Sequence, residues 1–244
     1  MIYVVSLGPG GIDEITPRAL SALERADVIV GYKTYVDLLM PDFGHKRIVA
    51  SAMKQEVERC RQAADLAFSG KTVALVSSGD AGIYGMAGLM LEVLDAFPGG
   101  EAIEVEIIPG ITAASSAAAL MGAPLTHDFA VVSLSDLLTP WDLIEKRLAL
   151  ATAADFVLCL YNPASRTRRD YLRRACDIVM AGRKGDTPSG WARNVGRQGQ
   201  EYKILPLSEL RDEILDMFCT VLIGNASTRA LNGRLVTPRG YKVR

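Results

Sequence analysis

The chain has 244 residues, 49% of them apolar and 23% charged, with a formal net charge of −1. That length suits one large or two small domains with a substantial core, and near-neutrality argues against nucleic acid or a membrane surface as partner. No apolar run reaches the roughly 18 residues of a membrane span. Cys60, Cys159, Cys176 and Cys219 lie far apart without a C-x-x-C, which argues against a zinc ribbon or redox dithiol and fits a reducing compartment; no metal site is expected.

Residues 2–7 (IYVVSL) read as a buried strand with no charged leader ahead of them, so a cytoplasmic protein is expected. The strand ends in Gly8-Pro9-Gly10-Gly11, a partial dinucleotide fingerprint that fails at Asp13, where the third glycine belongs. The acid expected after a second strand is also missing, because Asp27 precedes that strand. Thr16-Pro17 is a helix start, cap then proline, and Leu20, Leu23 and Ala26 continue at helical spacing. Residues 27–31 (DVIVG) form the second strand, followed by Tyr32 and Tyr35 as pocket-lining or packing side chains. Residues 41–44 read as a loop, with His45 solvated beside it. Residues 51–69 predict an amphipathic helix with Met53, Val57, Cys60 or Arg61, Ala64, Leu66 and Phe68 near one side, closed by Gly70.

Residues 73–88, VALVSSGDAGIYGMAG, are the most informative stretch. An apolar strand gives way to Ser77, Ser78, Gly79, Asp80, Ala81 and Gly82, and a helix-period run begins at Ile83. Open α/β folds place ligands where a strand turns into a helix through a glycine-rich loop, and a plain turn seldom needs Gly79, Gly82, Gly85 and an acid so close together. Residues 103–108 (IEVEII) are the next strand, ended by Pro109-Gly110-Ile111-Thr112. Residues 113–120 (AASSAAAL) predict a small-residue helix able to approach a sheet or a ligand very closely.

Residues 122–127 (GAPLTH) mark the junction of two lobes, 1–122 and 123–244. In the second, residues 129–133 form a strand, Thr139-Pro140 starts a helix over 141–151, and 155–160 (DFVLCL) is a buried strand. Ser165 is read as the cap of a helix from 166 to about 182. A short strand around 190–192, a strand over 201–205, a helix over 208–218 and a strand over 219–223 complete the pattern. Strands alternating with helices predict an α/β fold with parallel or mixed sheets. Residues 166–197 hold nine basic residues against three acids, a surplus of six in a chain of net −1. A solvated helix face accounts for this, and so does a dock for a polycarboxylate that arginine grips bidentately.

Together these stretches resemble the tetrapyrrole (corrin/porphyrin) methyltransferase family. The likeness runs through SLGPGGIDEIT at 6–16, ADVIVGYKTYVDLL at 26–39, SSGDAGIYGMAG at 77–88 and IIPGITAASSAAALMGAPLTHDF at 107–129. Within the family, VVSLSDLLTPW at 131–141, LYNPASRTR at 160–168 and IGNASTR at 223–229 are similar to the precorrin-3B C17-methyltransferase branch. Ala81 stands where the family loop often has proline. The resemblance implies two α/β lobes of the tetrapyrrole methylase type, the active-site cleft between them, and a homodimer. It implies S-adenosyl-L-methionine as cofactor, released as S-adenosyl-L-homocysteine. Its contacts by position are Gly79, Asp80, Ile83, Thr112, Ala113, Tyr161, Asn162, Ala192, Arg193, Asn225, Ser227 and Thr228. Gly8, Pro9, Gly10 and Tyr84 would lie nearer the tetrapyrrole, and we add Arg166, Arg168 and Arg169 for its acid arms.

The implied reaction methylates precorrin-3B at C17 with ring contraction to precorrin-4, in cobalamin biosynthesis; cobalt-factor III or another tetrapyrrole is the alternative substrate. Methyl transfer from a sulfonium needs alignment more than acid or base. Ring contraction moves a proton, and the candidates for that are His127, Asp136 and Tyr84. A nicotinamide-dependent oxidoreductase is the rival enzyme class, disfavoured by the failed fingerprint; a non-catalytic tetrapyrrole carrier is the rival outside enzymes.

Overall fold

The computed structural model describes residues 1–165 and 167–242. The chain divides into two units, Met1–Ala113 and Ala114–Arg244. The first runs β1 (Ile2–Ser6), α1 (Pro17–Arg25), β2 (Val28–Tyr32), α2 (Lys33–Asp37), α3 (Met40–Phe43), β3 (Arg47–Ser51), α4 (Glu56–Phe68), β4 (Val73–Ser77), α5 (Ala87–Asp95) and β5 (Val105–Ile108). Its strands form one parallel sheet in the order β3-β2-β4-β1-β5.

Both β1 and β4 are buried throughout, as continuous apolar runs are when helices cover both faces of a sheet. Alternate residues point opposite ways. Tyr3, Val5 and Val76 pack with Ala19, Ala22 and Leu23 of α1. Ile2, Val4 and Leu75 pack with Cys60 and Ala63 of α4 and Met90 and Leu94 of α5. The chain leaves β1 for β2 on one side and leaves β4 for β5 on the other. The carboxyl ends of β1 and β4 therefore flank the topological switch point, where such sheets take ligands.

Thr16 Oγ1 accepts from the Ala19 N–H at 3.2 Å, so α1 starts at its expected cap. The helix expected from residue 51 begins only at Glu56, because 47–51 form the half-exposed edge strand β3. Its buried residues are Arg59, Cys60, Ala63, Ala64 and Ala67; Val57 and Phe68 turn outward, and Met53 lies exposed ahead of the helix. The helix expected from Ile83 starts at Ala87. Tyr84 at φ +54° interrupts it, and a Cβ on Gly85 would lie 2.6 Å from the Ala81 carbonyl oxygen. Tyr32 and Tyr35 pack edge to face, ring centroids 5.2 Å apart.

The second unit carries α6 (Ala113–Met121), β6 (Gly122–Ala123), β7 (Phe129–Ser133), α7 (Trp141–Ala153), β8 (Val157–Tyr161), α8 (Tyr171–Met180), β9 (Pro188–Arg193), β10 (Glu201–Pro206), α9 (Leu207–Leu210), β11 (Cys219–Ile223), β12 (Arg229–Leu231) and β13 (Arg234–Val236). Its main sheet is ordered β10-β9-β11-β8-β7, with β7 and β8 parallel and the other pairs antiparallel. Residues of α7, α8 and α9 pack on one face of it. On the other, Ala114, Ala117, Ala118 and Met121 of α6 pack against Cys159, Ala192 and Leu222. The close approach foreseen for this small-residue helix is visible at Gly190, where a Cβ would lie 2.6 Å from Met121 Sδ. This packing draws α6 into the second unit, so the division falls at Ala113/Ala114 where the sequence reading has residue 122.

Two helices differ in extent from expectation. Ser165 and Arg168 exchange main-chain hydrogen bonds at 3.2 Å in a turn, and α8 begins after it, at Tyr171. The helix read over 208–218 shrinks to α9. The β12–β13 hairpin is additional, turning on Asn232 and Gly233, both at positive φ. All four cysteines are buried free thiols. No helix among the described residues is long and apolar enough to cross a membrane.

Candidate active site

Three turns meet at the carboxyl edge of the first sheet. Gly8 and Gly79, both at positive φ, exchange main-chain hydrogen bonds of 3.1 and 2.7 Å and tie the turn after β1 to the loop after β4. Ser6 Oγ, fully buried, accepts from the Ala81 N–H at 2.8 Å. Asp80 closes the arrangement: Oδ1 accepts from the Gly82 N–H at 2.8 Å and Oδ2 from the Gly110 N–H at 3.0 Å. A Cβ on Gly110 would stand 2.6 Å from Ser6 Cβ and 2.7 Å from the Gly79 carbonyl oxygen, so that turn must be glycine. A Cβ on Gly79 would meet nothing closer than 3.8 Å, which leaves its main chain approachable. Ile12, Ile83, Tyr84 and Ile111 expose apolar surface on these turns, Tyr84 at 59%. Its left-handed backbone is the kind of strain that gathers at functional sites. The turns (8–14, 77–86 and 108–113) hold Asp13, Glu14 and Asp80 and no lysine or arginine. Such an edge favours a cationic or neutral nucleoside over a polyphosphate.

The main sheet of the second unit separates the remaining candidates. Ser133 and Tyr161 end β7 and β8 in register with each other, and Tyr161 and Ala192, the last residue but one of β9, both pair with Thr220, the second residue of β11. Tyr161, Asn162, Ala192 and Arg193 thus share one edge. The Tyr161 hydroxyl accepts from the Ala114 N–H at 2.8 Å and so caps α6. Asn162, at φ +54°, donates from Nδ2 to Ser133 Oγ at 3.0 Å. Arg193 is paired with Glu201, lies 3.3 Å from Asp216 and stacks over Trp191. The Tyr171 hydroxyl donates to Asp136 Oδ2 at 2.5 Å, and Arg168 Nη1 stands 3.6 Å from Asp136 Oδ1. The bond to Asp136, with burial, pushes the Tyr171 hydroxyl above its ordinary range.

Strand β11 runs the other way, so its end at Ile223 pairs with Leu158 and Ser189. Asn225, Ser227 and Thr228 follow it at the opposite edge, about 16 Å away for a five-residue strand. Their side chains are engaged there. Asn225 Oδ1 accepts from the Ser227 N–H, Ser227 Oγ and Thr228 Oγ1, and Thr228 Oγ1 lies 2.8 Å from Thr237 Oγ1. His127 precedes β7 at this same edge; its Nδ1 accepts from the Asp128 N–H at 2.9 Å.

Comparison with known proteins identifies the chain. The description Tetrapyrrole (Corrin/Porphyrin) Methylases matches over residues 1–211. The chain belongs to the tetrapyrrole methylase family. It is 47% identical over 246 residues to a probable cobalt-factor III C(17)-methyltransferase of Salmonella typhimurium, covering 99% of each chain. A cobalt-factor III methyltransferase of Priestia megaterium is 43% identical; the match takes in 99% of this chain and 45% of that longer protein. Among solved structures, the methyltransferase CobJ superposes with a TM-score of 0.90 at 38% identity, covering 97% of this chain and 99% of that one.

As a tetrapyrrole methylase the chain is a methyltransferase that uses S-adenosylmethionine. The cradle around Gly79 suits it: an approachable main chain, exposed isoleucines, and acids on turns that carry no lysine or arginine of their own. The structure brings Gly8, Pro9, Gly10, Gly79, Asp80, Ile83, Tyr84, Thr112 and Ala113 to the turns of one sheet edge, and Tyr161, Asn162, Ala192 and Arg193 to one edge of another. It separates Asn225, Ser227, Thr228 and His127 from the second group. Asp136, Arg168 and Tyr171 form one cluster, and Arg169 is exposed beyond it. Arg166 lies outside the described residues. Sequence reasoning missed Ser6 and Tyr171. Ser6, polar at the end of an apolar strand, carried a signal; Tyr171, 35 residues from Asp136, carried none.

Proposed function

We propose that this methylase transfers the methyl of S-adenosylmethionine to C17 of a cobalamin-pathway tetrapyrrole, precorrin-3B or its cobalt counterpart cobalt-factor III, with ring contraction. The observation that carries the reading is the set of turns after β1, β4 and β5 at the first sheet's edge, which hold three acids and no lysine or arginine of their own. It suits a sulfonium and opposes the pyrophosphate of a nicotinamide nucleotide. Full-length likeness to the Salmonella typhimurium protein supports the C17 position.

S-adenosylmethionine supplies an electrophilic methyl with a good leaving group. The chain's own work is then to hold donor and acceptor in line and exclude water. We assign donor contacts to Gly79, Asp80, Ile83, Thr112 and Ala113 in the first unit. In the second they fall to Tyr161, Asn162 and Ala192, with the main chain of Arg193, whose guanidinium is already paired. Gly8, Pro9, Gly10 and Tyr84 are assigned to the tetrapyrrole, with Arg168 and Arg169 for its carboxylates. Asn225, Ser227 and Thr228 are left out because their side chains lock the far edge of the second sheet. Tyr84, exposed and strained, is the preferred proton-moving group for ring contraction. His127 is left out for its place at the far edge, and Asp136 because its carboxylate serves Tyr171 and Arg168. The proposal extends to a homodimer in the cytoplasm, a setting that four unpaired thiols suit.

Incubation with precorrin-3B and, separately, cobalt-factor III, each with methyl-labelled S-adenosylmethionine, tests the reading. One tetrapyrrole should gain a single labelled methyl, with an absorbance change marking ring contraction. Transfer to neither, or binding of NAD(P) in place of S-adenosylmethionine, overturns it.

A further inference from the structure

The loop between β7 and α7 is held firmly yet exposes apolar surface. Leu134 is fully buried and its N–H donates to the Tyr161 carbonyl oxygen at 2.8 Å. Ser133 Oγ accepts from Asn162 Nδ2 at 3.0 Å and from the Ser135 N–H at 3.2 Å. Asp136 is fastened by the Tyr171 hydroxyl and faces Arg168. Tyr171 is itself wedged against Trp141, ring centroids 4.3 Å apart, with Arg174 over both rings. Immediately after these anchors, Leu137 is 62% exposed and Leu138 98%. Two adjacent leucines in water forgo the stabilisation that burial would give them.

The surroundings specify what would cover them. The lip follows Ser133, on the edge that carries Tyr161 and Asn162. Arg168 lies behind it, its side chain 16% exposed. Among the described residues Arg168 Nη1 is buried without a hydrogen-bond acceptor, Asp136 Oδ1 being 3.6 Å away. Arg169 is exposed nearby in sequence, while Arg173 is held by Asp212 at 2.7 Å. An apolar lip beside a turn that carries Arg168 and the exposed Arg169 fits a ligand with a flat apolar face and a carboxylate rim.

We propose that Leu137 and Leu138 form a contact surface for the face of the tetrapyrrole, and that Asp136 and Tyr171 are positioning residues that present this lip beside Arg168. The inference rests on the methyltransferase reading above and adds the surface by which the second unit selects its substrate. It gives Asp136 a task other than proton transfer.

The test is steady-state kinetics with the tetrapyrrole that the wild-type protein methylates, together with S-adenosylmethionine calorimetry and sedimentation. Leu137→Ser with Leu138→Ser should raise KM for the tetrapyrrole about tenfold or more. S-adenosylmethionine affinity, unfolding midpoint and sedimentation should match wild type. Leu137→Met with Leu138→Met should keep most of the wild-type KM. Tyr171→Phe should raise the same KM by a smaller factor and speed hydrogen exchange at the Leu137 and Leu138 amides. An unchanged KM in the double serine variant overturns the lip while leaving the methyltransferase reading intact. A changed sedimentation coefficient also overturns it, because a second copy of the chain is then the occupant. Failure of the wild-type protein to methylate either tetrapyrrole removes the parent reading and the lip with it.

Discussion

The carboxyl edge of the first sheet is made of main chain, and the matching edge of the second is made of side chains. In the first, Gly8, Gly79 and Gly110 pack turn against turn, and Asp80 serves mainly to receive the Gly82 and Gly110 N–H groups. In the second, Tyr161, Asn162, Asp136 and Tyr171 hold neighbouring segments through hydroxyl, amide and carboxylate groups. The contrast follows from topology. A parallel switch point brings several loops together where only glycine leaves room. A mixed sheet spreads its loops over both edges, so longer side chains must bridge between them.

That contrast can be broken or sharpened by experiment. The largest effect should ignore it. Burial pushes the thiols of Cys60, in the first unit, and Cys176, in the second, from 9.0 up to about 12. A pKa raised in the folded state contributes stability below the unfolded value and loses it as pH climbs. The urea midpoint should therefore fall steadily from about pH 9 toward 12. Cys60→Ala and Cys176→Ala should each remove a similar part of that decline. A removal confined to one variant would mean that the units differ in more than their edges.

Steric tests come next. Gly110→Ala forces a methyl into space held by Ser6 and the Gly79 carbonyl, and should cost about 3 kcal/mol in urea unfolding and abolish measurable S-adenosylmethionine binding. Asp80→Ala strands the Gly82 and Gly110 N–H groups, and should cost roughly 1–3 kcal/mol and weaken the same binding in calorimetry. Asp80→Asn, which keeps one acceptor oxygen, should fall between. Tyr161→Phe in the second unit removes the acceptor of the Ala114 N–H at the start of α6 and should cost about 1 kcal/mol. If Tyr161→Phe proved as damaging as Gly110→Ala, the distinction between a main-chain edge and a side-chain edge would fail.

Much of the first unit is legible in the sequence because its strands are continuous apolar runs and its turns need glycine. The strands β1, β4, β7, β8 and β11 stand within a residue or two of where the apolar runs put them. Strand β3 escapes because it is an edge strand with Arg47 and Ala50 exposed, so no buried run announces it. The β12–β13 hairpin escapes because β12 is exposed throughout, although Asn232-Gly233 was a turn signal in plain view. Among the candidate site residues, the first unit's turns follow from the glycine spacing. The separation of Asn225, Ser227 and Thr228 from Tyr161 does not, since an apolar strand reads the same in either direction and only pairing reveals that β11 runs backward. The Asp136–Tyr171 bond is unreadable for a related reason: it joins a loop to a helix start whose position was itself misjudged.

The reciprocal pair between Gly8 and Gly79 also has a mechanical meaning. Two stretches of chain far apart in sequence are fastened like the halves of a buckle, and neither can swing out while both rungs hold. Any breathing that admits a ligand there moves the two as one stiff plate. A spectroscopic reporter attached near Pro9 would therefore register events at Asp80 almost as faithfully as one attached to the acid's own loop.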